Sequence, residues 1–175
     1  PETIDMLYES GLRSVNFGIE TLNHKSGKAI GKGMHPEKLK EGLYKIKERW
    51  PDVLITAGLI VGLPHDTPET LRKNNEWFEQ KDCPVQYPSY YPLHINTNKG
   101  DKDDKSTIEN NPFSFGYQTT DDGYWKSEWM DKVEAEQLVE EFDRPGNVVS
   151  WVFFNRMQNI GYTPSDLIHN RVTEE

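Results

Sequence analysis

Residues 53–67, VLITAGLIVGLPHDT, constrain the fold more than any other stretch. Leu54, Ile55, Ala57, Leu59, Ile60, Val61 and Leu63 make it almost wholly apolar, as suits a parallel strand covered on both faces. Gly58 and Gly62 interrupt it two pleats apart, on the face shared with Thr56 and Ile60. Glycine weakens a strand, so two on one face imply that something approaches the backbone there. Pro64 ends the strand, and Thr67-Pro68-Glu69 opens a helix, with Thr67 as its cap and Pro68 at its first position. Such a junction of strand end and helix start is where α/β sheets place ligands.

The flanking sequence repeats this rhythm. Ile4, Leu7 and Tyr8 form the buried stripe of a short helix over 2–9, which Gly11 ends. A strand follows over 14–20. Val15, Phe17 and Ile19 belong on its helix-facing side, and Asn16, Gly18 and Glu20 point inward. Residues 21–35 form a long polar loop carrying Lys25, Lys28 and Lys32, and that length hints at function. Pro36 opens a helix with Leu39, Leu43, Ile46 and Trp50 at helical spacing. A further helix over 68–80 leads into a third strand over 85–95, where Pro88 and Pro92 suit an edge. The βαβαβ order implies parallel strands. Three strands cannot close a barrel, so the predicted fold is α/β, a partial TIM-like barrel of about three parallel βα units. A helical carboxyl-terminal region follows it.

Beyond Ile95 the pattern breaks. Three regions are expected: the half-barrel over 1–95, a polar, aromatic-containing loop region over 96–129, and a helical extension over 130–175. In the last, Val133, Leu138 and Phe142 face inward on one helix, a second runs over 147–159, and a third starts at Thr163-Pro164. The aromatics between Phe113 and Trp129 argue against simple disorder and suit a packed satellite cluster.

Composition narrows the chemistry. The net charge of −9 argues against nucleic-acid binding by the whole surface. Cys83 is the only cysteine among 175 residues, which excludes an internal disulfide and a cysteine-built metal site. His24, His35, His65, His94 and His169 show no metal-ligand spacing. No apolar run reaches the roughly 20 residues of a membrane span, and the expected setting is cytoplasmic. The start at Pro1 is read as a cut from a longer protein.

FGIET at Phe17 to Thr21, the lysine of IGKG at Lys32, and GLIVGLPHDTPET at Gly58 to Thr70 resemble the second half of a radical S-adenosylmethionine (radical SAM) domain. The likeness extends to its subgroup that often carries a cobalamin-binding domain. Tyr90-Tyr91-Pro92-Leu93 resembles the last barrel strand. The resemblance implies S-adenosylmethionine and a [4Fe–4S] cluster in the parent protein, with cobalamin possible. The CxxxCxxC motif that holds such a cluster is absent, so the chain alone is expected to be inactive. It further implies that Asn16, Gly18 and Glu20 line the cofactor's side of the first strand, with Glu20 near the ribose. Gly58, Ile60, Gly62 and Leu63 would lie against the adenine, Asp66 would contact the cofactor from the following turn, and Tyr91 or Leu93 would add apolar contact. The implied partners are the other half of the barrel and a substrate that the sequence does not name. The strand over 14–20 would be an exposed edge, open to pairing.

Two other readings fit the residues. One is a stand-alone α/β binding or interaction module without radical chemistry. The other is an acid–base hydrolase in which Glu20 and Asp66 converge on one pocket. Lys25, Lys28 and Lys32 read by default as a solvated loop, although one could meet a carboxylate or phosphate.

Overall fold

A computed structural model describes residues 2–96 and 106–142. Among these, the chain runs through α1 (Glu2–Glu9), β1 (Ser14–Glu20), α2 (His24–Ala29), α3 (Pro36–Arg49), β2 (Leu54–Val61), α4 (Pro68–Phe78) and β3 (Tyr87–Pro92). There follow α5 (Thr107–Asn110), a 3-10 turn (Pro112–Phe115), the short strands β4 (Gln118–Thr119) and β5 (Trp125–Lys126), and α6 (Lys132–Phe142). The helices expected over 147–159 and from Thr163 lie outside the described residues.

The apolar stretch forms the middle strand. Both neighbours pair with it in parallel, in the order β1-β2-β3, giving the α/β architecture that the sequence predicts. Ile55, Ala57 and Val61 point to one face and are fully buried. Leu43 of α3, Leu71, Trp77 and Phe78 of α4, and Leu138 and Phe142 of α6 belong to the same core. Phe78 meets Tyr90 edge-on, and Tyr90 in turn packs on Phe142 with ring centroids 5.0 Å apart. Polar caps start the helices where the sequence places them. Thr67 and Thr70 satisfy each other's backbone at the head of α4, and His35 Nδ1 accepts the Glu37 N–H at the head of α3.

The region after β3 is more ordered than its lack of periodicity suggests. Trp125 has no exposed surface, and its Nε1 donates to the Leu93 carbonyl at 2.8 Å. The Tyr117 hydroxyl donates to the Gly62 carbonyl at 2.7 Å. The two rings meet edge-on, 5.4 Å apart. Two carbonyls at the carboxyl ends of β2 and β3 thereby find donors in a buried setting, where an unpaired acceptor is costly. The same packing explains Gly62. It leaves the strand at φ 103°, and a Cβ there would stand 2.5 Å from the Trp125 ring.

Several expectations are corrected. Gly62 is a turn residue and not a second strand glycine beside Gly58. Leu7 is 51% exposed rather than part of a buried stripe. Val133 faces solvent, and Ala135 takes its inward place on α6. The loop over 21–35 contains the short helix α2. No helix among the described residues is long and apolar enough to cross a membrane.

Candidate functional site

Among the described residues, the sheet face turned away from the helices is open around Gly58 and Tyr91, while Leu54 and Tyr87 at its amino end are buried. Parallel register sets its side chains in rows across the three strands: Asn16–Thr56–Tyr87, then Gly18–Gly58–Ser89, then Ile60–Tyr91. The Thr56 hydroxyl donates to Asn16 Oδ1 at 2.8 Å, which fixes both on this side. The middle row is bare at Gly58. A Cβ added to Gly58 would meet nothing within 4 Å. Packing within the described chain therefore gives no reason for glycine at the centre of the middle strand, where it costs stability. The result is a shallow trough floored by backbone. Asn16 and Thr56 border it on one side, and Ile60 and the exposed Tyr91 on the other.

Glu20 stands at the carboxyl end of β1. The register slips between Gly18 and Glu20, and Glu20 adopts φ 66°. The Thr21 N–H donates to the Ile19 carbonyl at 2.8 Å, closing a γ-turn around it. A left-handed conformation costs a non-glycine residue roughly 1–2 kcal/mol, so the backbone is strained where this carboxylate leaves the strand. It folds back over Gly18: Oε1 lies 2.7 Å from where a Cβ of Gly18 would be. Lys32 Nζ reaches the same spot, 3.6 Å from Glu20 Oε1 and 3.0 Å from the Gly18 carbonyl that it donates to.

Asp66 has a different place. It has no exposed surface. Its Oδ1 accepts from the Ser26 hydroxyl at 2.7 Å and from Asn23 Nδ2 at 3.2 Å, while Oδ2 is buried without a partner. Burial pushes its carboxyl up to about 7, against the bonds from Ser26 and Asn23, which favour the charged form. Asp66 thus ties the loop after β1 to the turn after β2, buried there and away from the open face. Leu63 and Leu93 are also buried in the core, and Gly62 serves Trp125.

Asn16, Gly18, Glu20, Gly58, Ile60 and Tyr91 are therefore the predicted residues that share the open face. Ser89 and Lys32 complete it and were missed as site residues. Ser89 follows from counting register across β2 and β3, whereas Lys32 becomes visible only when the loop folds back. Among the described residues no group of three or more side chains is placed to hold a metal. Desolvation lowers the pKa of His24, whose ring lies 4.6 Å from that of His35, and Cys83 is partly buried. The bare trough with a carboxylate at its rim fits the flat base and diol of a nucleoside. One cysteine does not fit an iron–sulfur cluster, which needs several thiolates.

Comparison with known proteins bears on the fold. Residues 1–78 match the family model described as the radical SAM superfamily. The fold is similar to that of the archaeal Methanocaldococcus infernus Elp3 with an N-terminal deletion, at a TM-score of 0.56 and 14% sequence identity. That superposition covers 91% of this chain and 39% of the other, so the chain spans well under half of its structural relative. No curated protein matches.

Proposed function

We propose that this chain is the S-adenosylmethionine-binding half of a radical SAM enzyme acting in the cytoplasm. The bare glycine at position 58, facing open space from the middle strand, carries this reading. The adenine would lie over Gly58 and Ser89, with Ile60 and Tyr91 beside it, and Glu20, folded over Gly18, would accept from the ribose hydroxyls. A carboxylate suits a diol because it accepts two hydrogen bonds at once. Asn16 and Thr56, already bonded to each other, border the opposite side. When bound, S-adenosylmethionine supplies the radical chemistry, while these residues bind and orient it. The thiolates of the [4Fe–4S] cluster come from outside these 175 residues, and without them the chain performs no turnover. The other strands of the barrel would pair along the outer edge of β1, which carries no strand among the described residues. A cobalamin domain in the parent belongs to the same reading and rests on motif likeness alone.

Titration calorimetry with S-adenosylmethionine tests it, comparing wild type with Gly58→Val. Valine is a better strand residue, and its Cβ has free space here. The variant should unfold at equal or slightly higher denaturant, by up to about 1 kcal/mol. It should also bind the cofactor roughly tenfold or more weakly, a loss of at least about 1.4 kcal/mol. Unchanged binding in a stable Gly58→Val protein would remove the trough from the site.

A further inference from the structure

Lys32 sits in a loop that is built to aim it. Its backbone N–H donates to the Gly27 carbonyl at 2.7 Å. A Cβ on Gly27 would stand 3.1 Å from the Lys32 carbonyl, so the close return of the chain depends on glycine there. Gly31, just before it, takes φ 78°. The ammonium then donates to the Gly18 carbonyl at 3.0 Å and stands 3.6 Å from Glu20 Oε1. Gly18, for its part, leaves the space that this carboxylate occupies.

These contacts interlock. Glu20 is held in a left-handed γ-turn, which favours glycine, and its side chain could otherwise swing out to solvent. We infer that Lys32 is a positioning residue for Glu20. By bridging the Gly18 carbonyl and the Glu20 carboxylate, it keeps that carboxylate over the trough floor, where it reads the vicinal hydroxyls of a bound nucleoside. The inference rests on the nucleoside reading of the trough and adds how its polar specificity is set. Lys32 is half-exposed, and exposed ion pairs add little to stability. A positioning role therefore predicts a change in selectivity without a change in fold.

The test measures the affinity of the full 175-residue chain for adenosine and for 2′,3′-dideoxyadenosine, with thermal melting as the control for folding. Wild type should prefer adenosine by roughly tenfold or more, as a charge-assisted hydrogen bond is worth at least that factor. Lys32→Met should bring the preference close to unity while melting within about 2 °C of wild type, as surface substitutions do. Lys32→Arg should restore most of the preference. Glu20→Gln should lose it too, and the double variant Lys32→Met, Glu20→Gln should lose no more than either alone, since the two act as one unit. Lys32→Met retaining the full preference overturns the inference and leaves the trough reading intact. An equal loss of both nucleosides in Lys32→Met also overturns it, since that marks a general structural effect. Failure of wild type to bind either nucleoside overturns the trough reading, and this inference falls with it.

Discussion

Trp125→Ala is expected to destabilise the protein by roughly 3–5 kcal/mol, the range for deleting a buried large aromatic. The ring is wholly buried, and its N–H is the donor to the Leu93 carbonyl. Removing it leaves a cavity and an unsatisfied buried acceptor at the end of β3. Gly62→Ala probes the same contact from the other side. Its methyl would lie 2.5 Å from the Trp125 ring, on a backbone at φ 103°. The clash and the unfavourable backbone together should cost about 3 kcal/mol. Urea unfolding followed by far-ultraviolet circular dichroism measures both. If each variant lost less than about 1 kcal/mol, the segment around Trp125 would not be an integral part of the core.

The second large effect is a pH dependence centred on Asp66. Its folded carboxyl titrates at about 7, against an ordinary value of 3.8. The folded state therefore holds a proton that the unfolded state has released between these values. Stability contributed by this group is fully present below about pH 4 and is lost as pH rises through about 7. At about 1.4 kcal/mol per pKa unit, the span is on the order of 4 kcal/mol. Asp66→Asn removes the titration. Its second polar atom still lacks a partner, so its absolute stability is a poor guide. The difference between the wild-type and variant pH profiles is the useful quantity. It should slope steadily between pH 4 and 7 and flatten above. A flat difference over that window would show that Asp66 titrates as an ordinary surface carboxyl. Other carboxylates, such as Glu141 beside Arg72, are held low by their partners and appear equally in both curves.

Much of the fold was legible because local signals agreed. The apolar run over 53–63, its glycine and the Thr67-Pro68 start are each strong on their own, and together they define a strand feeding a helix. The alternation of Val15, Phe17 and Ile19 with Asn16, Gly18 and Glu20 correctly divides β1 into a helix-facing side and an open side. The site was less legible because period alone does not show where a strand ends. Gly62 reads as a partner of Gly58 until the left-handed turn takes it out of the sheet. Asp66 reads as a turn residue free to meet a ligand, yet Asn23 and Ser26, some 40 positions earlier, enclose it. Lys32 reads as solvated because nothing local reveals that its loop returns to Gly18. The cluster around Tyr117 and Trp125 has no period, since its order comes from two strand-end carbonyls rather than from a helix or sheet face.

The central claim is that the trough over Gly58 and Ser89, rimmed by Glu20 above Gly18, holds a nucleoside. Titrating the isotopically labelled chain with adenosine and following backbone amide resonances tests it most directly. The account predicts that the amides of Gly18, Gly58 and Ser89 shift together along one saturable curve, with Glu20 and Tyr91 following. Shifts confined instead to the cavity lined by His94, Asn96, Glu109 and Asp122 would contradict it, as would no saturable shift anywhere on the open face.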